Sequence, residues 1–597
     1  MAKTESGIKD YISGINIKAS PEEIDAVQPY SKILVEDYDY PIDYIITHPQ
    51  YRVKVRPSSK KKEYPVDIAV FNNKKKDEES IQIIVECKKK NEEDGLEQLK
   101  DYLRFSKAQI GVWFNGNNKA YIRKIEKNGR TEFVSIPNIP KFGQRFEDIG
   151  KFKRKDLKVA SNLKAIFKSI RNHLAGNNVG TTRDEVIAQQ LISIIFCKLF
   201  DEKYTSPDDQ VRFRAGIDEN NEEISKRIFD LFEDVKKKYK EVIDQNDKIN
   251  LDKKSISYVV GELQNILLIE SSRDVISDAF ETFIGHTLKG DKGQFFTPRN
   301  VVKMIVEILD PSEDDLIIDP ACGSGGFLIE SLRYIWKKVE NAGKNNNWSE
   351  QNILEEKMEV AIHKIYGIDK DSFLTKVTKA YMAIIGDGKS GIFCEDSLEN
   401  PKNWSKKTSS KINLEKFDIL ITNPPFGSKI KITGEEKLKQ YNLGFKWKVD
   451  KKTSEFHKGK LKDKETPQIL FIERCLQLLK DDGKMALVLP DGIFGNETNT
   501  YVRNWLRSQG KILAIIDLPL ETFLPHTGTK TSVILFQKKI KFDVKKDYKI
   551  FMAIPKYCGH DRRGIQINQD DIQNVSKEYQ GWIKKNKWLL WPVNIKG

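Results

Sequence analysis

The 597-residue chain is long enough for about four average domains, or two or three large ones, each with its own buried core. Apolar residues at 39%, charged residues at 31% and aromatics at 10% are ordinary for a globular protein and exclude collagen-like, mucin-like and wholly disordered classes. Lys and Arg outnumber Asp and Glu by 101 to 87, and a net charge of +14 favours a polyanionic partner, although many basic proteins bind none.

No window approaches the roughly 18 consecutive apolar residues that a spanning helix needs, so no membrane partner is expected. The opening MAKTESGIKDYISG has neither a signal-peptide nor a transit-peptide pattern. Six scattered cysteines without a CxxC pair fit a reducing compartment, and a cytoplasmic location in a prokaryotic cytosol or nucleoid is expected.

In chain order, residues from about 25 to 135 alternate strand-like runs (YRVKV, YPVDIAVF, IQIIVECK, IGVWFN) with a helical stretch near Gly95 to Ser106, a small α/β domain. From about Asp156 to Leu288 apolar residues recur every three or four positions, as in EVIAQQLISIIFCKLFDEKY, which predicts an all-helical block. From Gly293 to about Lys539, DLIIDP, KIYGID, FDILITN, KMALVLP, ILAIIDL and TSVILFQ are short β-branched runs, most of them separated by amphipathic segments. That alternation predicts a parallel sheet wrapped by helices, with ILAIIDL and TSVILFQ as an antiparallel hairpin at one edge. The domain reading is 1–150, 151–290, 291–540 and a 541–597 tail that docks a partner. The fold class is α/β: a Rossmann-like domain preceded by a helical domain and a small amino-terminal α/β domain.

LIIDPACGSGGFLIESL reads as a strand ending at Asp319, a glycine loop, then a helix whose first N–H groups face a ligand. Leu328 stands where a GxGxxG motif has its third glycine, and the next strand-end acid, Asp369, lies 50 residues on, which weakens a dinucleotide reading. Asp369 suits ribose hydroxyls and Asp396, after another strand, suits an exocyclic amine. Three acids at successive strand ends form one crevice.

DPACGSGGF, preceded by GQFFTP at Gly293 to Pro298 and followed by Asn423-Pro424-Pro425-Phe426, resembles the amino-methylating DNA methyltransferases, in particular the modification subunit of type I restriction-modification systems, in the gamma-class motif order. The similarity runs from about Asp156 to Lys539. It implies S-adenosyl-L-methionine held by Phe295, Thr297, Pro298, Asp319, Ala321, Gly323, Ser324, Gly325, Asp369 and Asp396, double-stranded DNA as substrate, and N6 of adenine as acceptor.

The residue types at Asn423 to Phe426 fit that chemistry. An exocyclic adenine amine is a poor nucleophile because its lone pair is delocalised. Asn423 Oδ1 and the Pro424 carbonyl can accept its two N–H groups, Pro425 stiffens the turn, and Phe426 can stack on a base extruded from the duplex. Protein glutamine methylation is the rival chemistry, usually with NPPY. The segment Gly427 to Glu465 counts twelve Lys against six acids, interleaved with Tyr441, Phe445, Trp447 and Phe456, which favours nucleic acid over a solvated insertion.

In the amino-terminal block Glu86 and Lys88 project from one face of a strand, and Asp67 on a neighbouring strand can converge with them. Two carboxylates suit a hard cation and a lysine suits water activation. This Asp on one strand followed by ExK on the next, with Gln98 and Tyr102 four apart on a helix beyond, resembles the PD-(D/E)xK nucleases and the amino terminus of type I restriction subunits; Glu36 is a further candidate acid. The resemblance implies Mg²⁺ at Asp67 and Glu86 and a DNA endonuclease activity, and a catalytically inactive DNA-binding or docking module stays open. About 58 residues follow Lys539, fewer than a recognition domain needs, and no GxxxxGK[ST] loop occurs. A separate DNA-specificity subunit and an oligomeric assembly are therefore expected.

Overall fold

The computed structural model describes residues 7–54, 63–90, 92, 94–127, 129–159, 163–177, 184–240, 243–269, 297–385, 391–427, 430–449, 456–525, 527–539 and 548–586. The chain forms two compact units, Met1–Lys237 with Asn246–Thr287 and Lys238–Gln245 with Leu288–Gly597. No described helix is long and apolar enough to cross a membrane.

The first unit holds a six-stranded sheet: β1 (Ile45–Ile46), β2 (Ile68–Phe71), β3 (Ile81–Cys87), β4 (Ile110–Phe114), β5 (Lys119–Lys127) and β6 (Arg130–Ser135), side by side in that order. Only β3 and β4 are parallel, and helix α2 (Leu96–Arg104) makes the crossover between them. Alternation along β3 sends Ile83 and Val85 toward Tyr30 and Leu34 of helix α1 (Gln28–Glu36). Ile84 faces the opposite way, toward Leu99 and Leu103 of α2. Glu86 and Lys88 share the α2 side, and this parity positions the carboxylate cluster.

Helices α3 (Leu163–Asn177), α4 (Asp184–Tyr204), α5 (Asn221–Lys238) and α6 (Lys253–Leu263) realise the helical block. They do not separate from the small sheet at residue 150. A Cβ on Gly261 of α6 would lie 2.5 Å from the Pro137 carbonyl oxygen, and Lys119 of β5 makes a buried 2.5 Å ion pair with Glu262. Close backbone approach and a desolvated ion pair make the two blocks one unit.

The second unit is built on an eight-stranded sheet. Its strands are β7 (Ile317–Asp319), β8 (Ile365–Asp369), β9 (Gly391–Cys394), β10 (Phe417–Thr422), β13 (Leu479–Pro490), β14 (Gly510–Asp517), β15 (Thr531–Lys538) and β16 (Phe551–Ala553); β11 (Phe445–Val449) and β12 (Phe456–Leu461) form a separate hairpin. The spatial order is β9-β8-β7-β10-β13-β15-β14-β16, with β9 through β13 parallel and β15 antiparallel to both neighbours. Strand order reverses between β7 and β10, the position at which open α/β sheets bind ligands.

Two expectations are corrected. The ILAIIDL–TSVILFQ hairpin exists but is not the edge, because Phe551–Ala553 pairs parallel to Ala514–Ile516 outside it. For the same reason the expected 541–597 tail is, over its described residues 548–586, part of the second unit. Helix α12 (Ile572–Lys585) packs on helix α7 (Arg299–Leu309), where Ser576 Oγ donates to Glu307 Oε2 at 2.6 Å.

Candidate functional site

At the reversal point β7 ends on Asp319, and the loop that follows opens into helix α8 (Gly326–Asn345). Gly323 and Gly325 sit at φ +50° and +83°, a region open to glycine at little cost. A Cβ at Gly325 would lie 2.6 Å from Thr378 Cγ2, whereas one at Gly323 or Gly326 would meet nothing within 4 Å. One side of the loop is packed shut; the other is an open cradle.

Hydrogen bonds hold that shape. Asp369, ending β8, accepts from Gly323 N–H and Asp371 N–H, both at 2.9 Å, and Thr378 Oγ1 donates to the Gly323 carbonyl at 2.6 Å. Asp319 accepts from Ala321 N–H at 3.0 Å, and its burial pushes its carboxyl up to about 7. Ser324 is half-buried on the same loop. Ser397 Oγ donates to the Pro320 carbonyl, joining this loop to the one after β9. There Asp396 Oδ1 accepts from Leu398 N–H at 2.9 Å and Oδ2 from Lys437 Nζ at 2.6 Å.

One strand over, β10 delivers Asn423. Its Nδ2 donates to Thr297 Oγ1 at 3.0 Å, which fixes the orientation of the amide. Thr297, expected at the cofactor, therefore buttresses Asn423; Pro298 caps α7 behind it, and Phe295 lies outside the described residues. Pro424 is buried and Pro425 half-buried. Phe426 is only 3% exposed and meets Phe523 edge-on at 6.3 Å, so it is a packed wall rather than the open stacking platform expected.

The lysine-rich segment is pinned at its stem. On helix α11 (Pro467–Leu478), Glu473 accepts from Asn442 and Leu443 N–H, both at 2.8 Å. Arg474, fully buried, donates to Tyr441 Oη, Gln440 Oε1 and the Glu399 carbonyl. Tyr441 is consequently core, not a base platform. The β11–β12 hairpin beyond it exposes Lys446, Lys448, Lys458 and Lys460, with Lys458 Nζ 3.9 Å over the Phe445 ring.

In the first unit Asp67, Glu86 and Lys88 converge as expected. Lys88 Nζ is 2.5 Å from Glu86 Oε1, and Asp67 Oδ2 accepts from Cys87 N–H at 2.7 Å. Burial and then the Asp67 charge push Glu86 up to about 8; burial pushes Asp67 up to about 6. Gly95, at φ +100°, lets the turn into α2 pass over the site, since a Cβ there would lie 2.6 Å from Lys88 Cε. Gln98 Nε2 donates to Tyr102 Oη, which reaches the Pro65 carbonyl at 3.3 Å, so this pair buttresses the strand leading to Asp67.

Glu36 is not at the site. It lies exposed beside Lys32 and Tyr11. Acids at the other end of this helical stretch act there instead: Glu22 on Asp67, Glu86 and Lys88, and Glu23 on Asp67. Glu22 and Glu36 are the ends of that stretch. Fourteen residues of helix at 1.5 Å each separate the two acids by about 21 Å.

A family model described as N-6 DNA Methylase matches residues 271–595, more than half of the chain. The chain belongs to the N-6 DNA methylase family. A second model, Type I restriction enzyme R protein N terminus, matches residues 21–140. The type I restriction enzyme EcoEI methylase subunit of Escherichia coli is 27% identical over 283 residues, 47% of this chain and 50% of that protein. The MjaVII methylase subunit of Methanocaldococcus jannaschii is 26% identical over 321 residues, 52% and 49% of the two chains. The chain thus spans about half the length of these curated relatives. A solved type I restriction-modification methyltransferase subunit from Streptococcus thermophilus superposes with a TM-score of 0.47 at 16% identity, covering 72% of this chain and 97% of that one.

Within this N-6 DNA methylase the family match covers the glycine loop, Asn423 and the lysine-rich segment together. Three residues with direct structural roles here went unread in the sequence, Glu22, Thr378 and Arg474, and Lys437 was read only as one lysine of a basic segment. Each acts across a long sequence separation.

Proposed function

We propose that this N-6 DNA methylase transfers a methyl group to N6 of adenine in duplex DNA, at the corner made by Asn423, Pro424, Pro425 and Phe426. The observation that carries the reading is the pairing of Asn423 with Thr297 at the end of β10, beside an open glycine cradle at the end of β7. When bound, S-adenosyl-L-methionine supplies the electrophilic methyl. The cradle fits it: Gly323 and Gly326 leave room for a ligand, Asp369 stands ready for ribose hydroxyls, and Asp396 for the adenine amine. Asn423, its Nδ2 committed to Thr297, directs Oδ1 as the acceptor for the target amine, with the Pro424 carbonyl as the second acceptor; both localise the amine lone pair. The hairpin lysines bind phosphates. Loss of label on adenine in Asn423→Ala, with cofactor affinity retained in calorimetry, tests it.

A second activity is favoured by the convergence of Asp67, Glu86, Lys88 and Glu22. A buried Glu86 and a half-buried Asp67, both with proton affinity raised by burial and by neighbouring acids, fit Mg²⁺, and Lys88 beside them is placed to orient a water, the chemistry of a metal-dependent DNA endonuclease. The runner-up is an inactive docking module. The isolated chain methylates weakly and without sharp sequence preference in this reading, because recognition comes from a separate specificity subunit in an oligomeric cytoplasmic complex. The working domain assignment is a nuclease-like block at 1–150, a helical block at 151–290 and the methyltransferase from 291 onward.

A further inference from the structure

We propose that Lys437 is a positioning residue that couples DNA binding to cofactor binding, because it holds the same carboxylate oxygen that the cofactor's adenine amine would use. This rests on the assignment of Asp396 to the adenine subsite made above.

Asp396 has one oxygen committed to Leu398 N–H at 2.9 Å and the other to Lys437 Nζ at 2.6 Å. Lys437 also lies 3.2 Å from Glu399 Oε2, and its side chain is 19% exposed. It belongs to the short helix Glu435–Lys439 within the lysine-rich segment, so one side chain links the expected DNA-binding element to the cofactor end of the sheet. The link is framed on both sides. Gln440 Nε2 donates to the Leu398 carbonyl at 3.4 Å, Tyr441 Oη donates to the same oxygen at 2.8 Å, and Arg474 bridges Glu399 to Gln440. Ser397 ties this loop to the glycine loop through the Pro320 carbonyl.

An exocyclic amine and an ammonium are both donors, and they compete for the outward lone pairs of Asp396 Oδ2. The closely spaced phosphates of DNA offer the displaced ammonium a denser negative field than Glu399 alone, so cofactor and DNA bind with positive coupling. The coupling cannot exceed the strength of the pair it breaks. For a partly exposed ion pair that is about a threefold change in affinity.

The test is a thermodynamic cycle by calorimetry on the full chain, with S-adenosylhomocysteine as the probe, with and without a short DNA duplex. Wild type should bind the probe about threefold more tightly when duplex is present, and Lys437→Met should bind it about threefold more tightly without duplex and gain nothing from adding it. Lys437→Arg should restore the coupling. If Lys437→Met loses its melting transition, Lys437→Gln replaces it. Asp396→Asn separates the two claims. If it leaves probe affinity unchanged, the adenine-subsite assignment is wrong. If it weakens the probe while Lys437→Met alters neither affinity nor coupling, the assignment stands and the role given to Lys437 is wrong. Weaker probe binding by Lys437→Met, or no coupling in wild type, also overturns that role.

Discussion

The chain carries two clusters of carboxylates, and they are built on opposite principles. In the methylase crevice the acids are spread over three strand ends and satisfied by local donors: Asp369 by two backbone N–H groups, Asp319 by Ala321, and Asp396 by Leu398 and Lys437. In the amino-terminal unit Asp67 and Glu86 converge, with Glu22 nearby; burial holds both carboxyls above the usual range, with the Asp67 charge adding to it at Glu86 and the Glu22 charge at both. Separated acids suit a ligand rich in hydroxyl and amine donors. Converging acids, with Lys88 paired to Glu86, suit a divalent ion.

The largest effect expected is on the first region. Asn423→Ala should lower methyl transfer by about a thousandfold, the order seen when a preorganised polar group at a reacting atom is removed. Its cofactor affinity should stay near wild type, because the cradle and Asp369 are untouched; a parallel loss would show that Asn423 belongs to the cofactor subsite.

On the second region, titration of the full chain with Mn²⁺ should show a site that Asp67→Ala and Glu86→Ala each remove, while Lys88→Ala keeps the site and loses cleavage. Retained affinity in both carboxylate variants would make the block a docking module.

A smaller effect separates the clusters by pH. Glu86 titrates near 4.5 when unfolded and is raised to about 8 in the fold. Its neutral form therefore stabilises the fold fully below pH 4.5, and that contribution is lost as pH rises through about 8. The melting temperature without divalent cations should fall over that window more steeply in wild type than in Glu86→Gln, and Mn²⁺ should recover it at pH 8. Equal slopes in the two proteins would contradict the burial and repulsion described.

The smallest effect concerns the cradle. Gly325→Ala places a Cβ against Thr378 and an L-residue at φ +83°, at a cost of about 1–2 kcal/mol. Cofactor affinity should drop in that variant, whereas Gly326→Ala, facing open space, should narrow the cradle without strain. A Gly325→Ala protein with wild-type melting and affinity would refute the packing argument.

What could be read in advance follows from how local each feature is. DPACGSGG, NPPF and the ExK of Glu86 and Lys88 are contiguous, and strand parity alone places Glu86 beside Lys88. Buried β-branched runs announced six of the eight strands in the second unit's large sheet; Gly391–Cys394 and Phe551–Ala553, four and three residues long, carry too little periodicity. Features made by chain crossing were hidden: Asn423 on Thr297, Lys437 on Asp396, Gly261 against Pro137. The choice of Glu36 over Glu22 failed because both lie on one helical stretch and only the tertiary fold decides which end meets the sheet. Phe426 and Tyr441 were read as stacking rings, yet packing against Phe523 and Arg474 claims them.

The central claim is adenine methylation at the Asn423 corner. Its most direct measurement is nucleoside mass spectrometry of duplex DNA incubated with labelled S-adenosyl-L-methionine and either wild type or Asn423→Ala, at protein concentrations high enough to offset the absence of the proposed specificity subunit. The account predicts label on adenine N6 with wild type and none with the variant. Label on cytosine or on protein, or equal adenine labelling by both, would contradict it.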